Sequence, residues 1–415
     1  MQTNSSISKI RFNYFDIGFL IFTIFIFFRP LTLAVPYDII KNYSILELFS
    51  IIFSYLFIFL LLFNLRRIKI DKISFLIFLY CAYVGFSFLW GSSVREIGRM
   101  TLPFVVFFYA RMKLDDDTKI KILLAACVIG YIYPLIGSVI SILAGYAGVK
   151  LVWHSGLMKS SGILTEVHSY GHAMLFFSFL YALFIQTVEE DSRRIRIFLF
   201  CLVVLSTFCL YKSSVRTVFL GYVVFWGLYL LAINRKYFVV FGFALLCFIV
   251  ANQLQLEKVF WQTTDTRART LDSASSGRVS IWKHNLSVYN NDYSLDQKIF
   301  GIGLGKEGQP WYLGKKGPDV RSSHGDYLSL FMGLGPIGLM LYLFLYLILM
   351  YDIFLSAIDI KLRIIFIGIL FSVIVMNLVS NSYVVRVELA QYFWLFMGIF
   401  YALNDNIKRT WQEQL

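Results

Sequence analysis

The sequence predicts an all-α polytopic membrane protein, and three observations carry this fold class. Of the 415 residues, 58% are hydrophobic, whereas a membrane-spanning helix uses about 20 residues. Only 15% are charged, well below the roughly 25% of a soluble domain. Aromatic residues make up 18%, which suits long lipid-facing and interfacial surfaces. A soluble globule, a disordered chain and a disulfide-rich secreted domain are excluded.

Apolar runs bounded by charged residues give about 12 predicted transmembrane helices, at roughly 20 residues a span. In chain order they lie near residues 15–34, 45–63, 73–90, 98–110, 122–144, 169–187, 197–211, 217–233, 237–252, 337–351, 364–380 and 389–403. The fourth run is the shortest. The chain therefore divides into helices 1–9 within residues 1–252, one long, partly helical outer segment at 253–336, and helices 10–12 with a tail at 337–415.

The positions of the basic residues predict the orientation of these helices. The chain carries a net charge of +13, and Lys and Arg collect in the short cytoplasmic loops of a membrane protein. With the N-terminus in the cytoplasm, the short inner segments hold 19 basic residues and the short outer loops nine. Both termini are therefore expected in the cytoplasm. The excess charge marks the sides of the membrane, and no nucleic-acid partner is expected.

Two arginines at the predicted outer membrane boundary are candidates for binding an anion. Arg216 lies in a very short connection between two helices, where a charge is unfavourable unless it is paired. Arg278 lies in the first turn of a predicted helix, where a cation opposes the helix dipole but suits a phosphate oxygen. The alternative for Arg216 is an interfacial arginine whose side chain reaches the lipid headgroups, and the alternative for Arg278 is a solvated loop arginine.

A histidine-containing motif at residues 323–328 precedes the tenth predicted helix. His324 would begin a short apolar helix at the membrane surface, before a Gly/Pro break at residues 333–336. A histidine so placed can act as a general base toward a hydroxyl group if its pKa is near the operating pH. The alternative is a helix-capping or hydrogen-bonded surface histidine.

A further polar stretch, with Glu166, His168 and His172, leads into the sixth predicted helix. Two histidines four residues apart are a weak metal signal, because the matching Glu pattern is missing. We interpret the stretch as part of an acceptor groove. The Gly-rich residues 301–305 do not have the GxGxxG spacing of a dinucleotide site, and no Cys/His spacing indicates zinc. Neither a metal nor a cofactor is therefore expected.

Taken in order, these motifs resemble the O-antigen ligase and O-antigen polymerase family of bacterial envelope glycosyltransferases. The resemblance covers the chain from about residue 155 to about residue 345. It lies in Ser214-x-Arg216 at an outer helix end, Gly277-Arg278 with Trp282 four residues on, the Gly-rich stretch 301–305, and His324-x-Asp326-Tyr327-Leu328 before a Gly-rich helix. His168 and Gly325 stand where the family commonly has Asn.

The resemblance implies a GT-C-like fold of transmembrane helices with an outward-facing cavity and a periplasmic catalytic segment. It implies metal-independent glycosyl transfer, without a cofactor, from a glycan on undecaprenyl pyrophosphate at the periplasmic face of the bacterial inner (plasma) membrane. Direct displacement by the acceptor hydroxyl would invert the anomeric centre. The resemblance implies that Arg216 and Arg278 clamp the pyrophosphate and that His324 is the general base. It implies a substrate groove lined by Glu166, His168, Asp326 and Tyr327.

The acceptor decides between two forms of this function. A polymerase extends another lipid-linked repeat unit in lipopolysaccharide biosynthesis, whereas a ligase transfers the glycan to lipid A–core. The form of the histidine motif favours the polymerase, and a chain-length regulator is left open as a further partner. A flippase or transporter for lipid-linked glycan and a non-catalytic scaffold are the alternatives of other classes. Charges crowded at the outer boundary, rather than at the midplane, argue against a transporter.

Overall fold

The computed structural model describes residues 16–32, 45–144, 149–151, 158–160, 167–187, 193–252, 270, 275, 277–307, 320–380 and 386–414. Its helices are α1 (Ile17–Thr32), α2 (Ile45–Leu62), α3 (Lys72–Phe86), α4 (Val94–Lys113), α5 (Asp117–Leu143), α6 (Val167–Thr187), α7 (Arg193–Ser213), α8 (Arg216–Ile233), α9 (Arg235–Ala251), α10 (Arg278–Asp292), α11 (Leu295–Phe300), α12 (Asp326–Phe354), α13 (Ile360–Val379) and α14 (Val387–Gln414). A small antiparallel ribbon joins β1 (Val149–Leu151) to β2 (Met158–Ser160). The predicted all-α polytopic fold class is confirmed.

Every predicted apolar run overlaps one of these helices. Within the described residues, seven helices are long and apolar enough to cross a membrane: α3 with the 3-10 turn that follows it, α5, α6, α7, α8, α12 and α13. The expected short fourth helix is the 20-residue α4, because Ser93 caps it by accepting a hydrogen bond from Glu96 N at 3.2 Å. The figure of 12 spans stays a prediction.

Helix α14 lies at the centre of the helical bundle. All its residues from Val387 to Asn404 are buried. It packs closely along α4, since a Cβ at Gly398 would lie only 2.8 Å from Ala110 Cβ. Trp394 adds a ring contact with Phe104, with centroids 4.4 Å apart. Small residues that allow close approach, together with aromatic packing, are typical of helix pairs within membranes.

One end of the bundle carries a cluster of ion pairs, and the outer segment meets the other end. Helix α4 has 20 residues, which corresponds to a length of about 30 Å. At its C-terminal end, Arg111 pairs with Asp71 (Nη2–Oδ2 2.7 Å) and Asp405 (Nε–Oδ2 3.0 Å). At its N-terminal end, Ser93 N donates to Leu304 O at 3.1 Å and so meets the outer segment. The basic residues near Arg111, predicted for the inner side, therefore lie away from the outer segment.

Helix α12 crosses the predicted domain boundary between residues 336 and 337. It contains one residue with non-helical backbone angles, Gly335 (φ 68°, ψ −178°), followed by Pro336. The predicted order of a short helix, a Gly/Pro break and a long helix is therefore confirmed. The division of the chain at residues 252 and 336 stays a prediction.

Candidate active site

Arg216 is the first residue of α8 and follows a tight turn from α7. Ser214 in this turn has a positive φ of 52°, which is uncommon for a residue with a β-carbon. The Ser213 hydroxyl accepts a hydrogen bond from Val215 N at 3.3 Å. This local bond holds the turn, so the position of Arg216 at the helix end is set by both α7 and α8.

Helix α6 packs against the same turn through a glycine. A Cβ at Gly171 would lie 3.3 Å from Ser213 Oγ. This contact brings His168 and His172 to the end of the bundle that carries Arg216. His172 is fully buried, and its Nδ1 lies 2.8 Å from the His168 carbonyl oxygen. Glu166 lies outside the described residues, so the groove formed by Glu166 and His168 stays a prediction.

Arg278 begins α10 directly after Gly277, which has a positive φ of 79°. Its Nη1 donates to the carbonyl oxygen of Val379, the last residue of α13. A guanidinium group has five N–H donors, so this bond leaves capacity for an oxyanion. Burial lowers the pKa of the Arg278 guanidinium, which means that its surroundings would favour an added negative charge.

The end of α13 brings the two arginines together. Helix α8 lies along α13, with Ser372 Oγ donating to Gly221 O at 2.8 Å. Because α8 begins at Arg216 and α13 ends at Val379, this antiparallel packing places Arg216 near Arg278. The positive charge of Arg278 repels the positive charge of Arg216. Two like charges so placed repel, and an anion bound between them would relieve the repulsion.

His324 joins the arginines at the same helix end. Gly325 lies against α13, since its Cβ position is 3.2 Å from Leu378 O, and Tyr327 OH donates to Ile374 O at 3.2 Å. His324 has a positive φ of 48° and a side chain that reaches solvent. Desolvation by the surrounding protein, and then the charge of Arg278, lower the pKa of His324 from its ordinary 6.5. At neutral pH the imidazole is therefore neutral and can accept a proton.

Polar residues behind His324 were missed by sequence reasoning. Asn285 is fully buried, and its Nδ2 donates to Arg321 O at 2.8 Å and to Ser323 Oγ at 3.0 Å. Glu307 Oε1 accepts a hydrogen bond from Ser323 Oγ at 2.7 Å. An amide three residues after Trp282, on the packed side of α10, is a signal that would have pointed to Asn285. Glu307 carries no comparable signal.

The Gly-rich stretch passes between two helix breaks. Gly301 and Gly303 have positive φ values of 80° and 96°. A Cβ at Gly301 would lie 2.4 Å from Gly333 C, and one at Gly303 would lie 2.7 Å from Gly91 C. Glycine is required here because the backbones touch. The Gly-rich stretch therefore has a packing role, and Glu307 follows it closely in the chain.

Asp326 and Tyr327, which were predicted to line a substrate groove, are directed into the protein. Asp326 is fully buried at the start of α12, and its charge acts on Tyr80 and Tyr342 in the core. Tyr327 is half-buried and bonded to α13. A groove role for these two residues stays a prediction.

The fold and the site define a multi-pass α-helical membrane protein with two arginines and one histidine gathered at one end of the bundle. Across the described part of the chain, no group of three or more His, Cys, Asp or Glu side chains could hold a metal ion.

Residues 201–343, from α7 into α12, match the family model described as O-antigen ligase. The match includes Arg216, Arg278 and His324, and over these residues it confirms the predicted resemblance to the O-antigen ligase and polymerase family. No curated protein matches the chain. The family implies a glycosyl-transfer-type membrane enzyme that acts on a lipid-linked glycan and an acceptor.

Proposed function

We propose that this protein polymerises a surface polysaccharide at the periplasmic face of the bacterial inner membrane. It would transfer a glycan from undecaprenyl pyrophosphate to a hydroxyl group of a second lipid-linked repeat unit. The observation that carries the proposal is the meeting of Arg216, Arg278 and His324 at the end of α13. The family match at residues 201–343 supports glycan transfer in general.

The chemistry of a lipid diphosphate fits this set of side chains. The acceptor oxygen attacks the anomeric carbon while the bond from that carbon to the diphosphate oxygen breaks, which inverts the anomeric centre. Arg216 and Arg278 stabilise the charge that develops on the diphosphate. His324 takes the proton of the acceptor hydroxyl. The diphosphate is already a good leaving group, so guanidinium charge and one base suffice without a metal.

A ligase that transfers the glycan to lipid A–core is the second candidate function, and it is the activity that the description of the matching family model names. The donor, the clamp and the base are the same in both forms, and only the acceptor differs. A deletion strain separates the two on a lipopolysaccharide gel. Loss of a polymerase leaves core with one repeat unit, whereas loss of a ligase leaves bare core.

His324→Ala tests the role of the base in the same deletion strain. Removal of a general base lowers a rate by about 10²–10⁴-fold, so the variant should restore no polymer although it is inserted at the normal level. His284→Ala, on the same outer segment, is the matched control and should restore the wild-type pattern. A wild-type glycan pattern from His324→Ala would exclude the base role, and an unchanged pattern in the deletion strain would exclude both functions.

A further inference from the structure

The Glu307 carboxylate accepts three hydrogen bonds close to His324, and the proposed reaction does not involve them. Its Oε1 accepts a hydrogen bond from Ser323 Oγ at 2.7 Å. Its Oε2 accepts from Ser323 N at 3.3 Å and from Ser329 Oγ at 2.8 Å. One carboxylate therefore ties the residue before His324 to the first turn of α12.

The backbone at His324 requires such support. Its positive φ of 48° is unfavourable for a residue with a β-carbon and persists where the surroundings hold it. Ser323 is held on its carbonyl by Trp282 Nε1 at 2.7 Å and on its hydroxyl by Asn285 Nδ2 at 3.0 Å. Glu307 adds an acceptor for both the N–H and the hydroxyl of Ser323, which completes the contacts around that residue.

The hydrogen bonds of Glu307 go to Ser323 and Ser329 and not to the His324 ring, which indicates a geometric role. Burial raises the pKa of the Glu307 carboxyl, and the hydrogen bonds from Ser323 and Ser329 lower it in part. The pKa of His324, in contrast, is set by desolvation and by the charge of Arg278. Loss of the Glu307 charge should therefore leave the titration of His324 in place.

We propose that Glu307 is a positioning residue that acts through Ser323 to hold the His324 imidazole where it meets the acceptor hydroxyl. This inference rests on the proposed function of His324 as the base. A carboxylate is suited to this position because it accepts bonds from all three donors at once. Glu307→Gln retains the size but loses the charge and part of this acceptor capacity, whereas Glu307→Ala removes all of it.

The experiment measures transfer by the purified full chain, with lipid-linked glycan extracted from a source strain that lacks the gene. Displacement of a catalytic group by about 1 Å can lower the rate by about 100-fold. Glu307→Ala should therefore lower kcat by this order with an unchanged KM for the donor, and Glu307→Gln should show a smaller loss. The acid limb of the pH–rate profile should not move in Glu307→Gln. Asp292→Asn, which removes an exposed acid from the same outer segment, is the control and should be fully active.

The double variant Glu307→Ala/Ser323→Ala tests whether the effect passes through Ser323. Its kcat should be no lower than that of the more impaired single variant, because coupled residues are not additive. Multiplied losses would overturn this route, and a shifted acid limb in Glu307→Gln would overturn a geometric role. If Glu307→Ala does not fold, Glu307→Gln provides the test: a lowered kcat with an unmoved acid limb supports the positioning role, and a wild-type kcat contradicts it. Full activity of the Glu307 variants beside an inactive His324→Ala overturns this inference alone, whereas an active His324→Ala overturns the proposed function itself.

Discussion

At the level of single residues, Arg278 connects the proposed diphosphate clamp with the proposed base, His324. It bonds to Val379 O, and its charge acts on both Arg216 and His324. A bound diphosphate would offset this charge, so the pKa of His324 should rise when the donor is present. The base would then become stronger at the stage when a proton has to be taken.

Replacement of Arg278 by Gln tests this coupling directly. Removing a positive charge near an imidazole favours the protonated form, so the pKa of His324 should rise. The acid limb of the activity profile would then begin at a higher pH. NMR of protein labelled with ¹³C-histidine would show five histidine signals, and His324→Ala would identify the relevant one. An unchanged or lower pKa would show that the charge of Arg278 does not reach the ring.

Replacement of Arg216 or Arg278 should impair use of the lipid-linked donor more than replacement of an ordinary surface cation does. Arg216→Ala and Arg278→Ala should each lower kcat/KM for the lipid-linked donor by roughly tenfold or more, the range of a charge-assisted hydrogen bond. Lys at either position should recover part of the loss, since an ammonium group lacks the planar, bidentate geometry of guanidinium. Arg321→Ala, on an exposed residue of the same segment, is the control. Wild-type kinetics in both Ala variants would remove the clamp from the mechanism.

At the level of structural elements, the break in α12 depends on a backbone that only glycine allows. A Cβ at Gly335 would lie 2.1 Å from Ile299 O, and its φ of 68° with ψ of −178° is in a region occupied almost solely by glycine. Gly335→Ala should therefore lower the free energy of unfolding by about 3 kcal/mol or more.

A helical glycine in α3 provides the control for that variant. A Cβ at Gly85 meets no atom within 4 Å, so Gly85→Ala should leave stability unchanged or raise it by up to about 1 kcal/mol. Thermal unfolding of both proteins in the same detergent would compare them. Equal midpoints for Gly335→Ala and wild type would show that the outer segment moves aside at little cost.

The sequence was sufficient for the elements and for part of the site, for identifiable reasons. Apolar runs mark helices because each helix must bury or face lipid along its length, and Arg216 and Arg278 stood out because a charge at a helix end is conspicuous. The extent of α4 was underestimated because its capped, charged ends are not apolar. Glu307 was missed because it is 16 and 22 residues from its partners.

The end of α13 was missed for a different reason. It contributes carbonyl oxygens, those of Val379 and Ile374. Every residue has such a group, and no pattern of side chains indicates which carbonyl will be used. The meeting place of the site residues is therefore a property of the packing of α8, α10 and α12 on α13.

At the scale of the whole molecule, the outer segment and the Arg111 cluster lie at different ends of the bundle. Labelling one residue at each end therefore tests how the protein is oriented in the membrane. Leu295, in α11 of the outer segment, is 76% exposed, and Ile70, which precedes Asp71 of the Arg111 cluster, is 79% exposed. The excess of basic residues around Ile70 predicts that this end faces the cytoplasm. In a variant without the five native cysteines, Leu295→Cys should react with a membrane-impermeant maleimide in intact spheroplasts, whereas Ile70→Cys should react only after lysis.

A third position extends this test to the number of spans. Helix α9 has 17 residues, and its exposed side chains include Val240, at 64%. If lipid covers this surface, Val240→Cys should stay unlabelled both before and after lysis, because a thiolate does not form in hydrocarbon. Labelling of Val240→Cys after lysis would remove α9 from the predicted 12 spans. Reversed labelling of Leu295→Cys and Ile70→Cys would place the site on the cytoplasmic side and so contradict transfer at the periplasmic face.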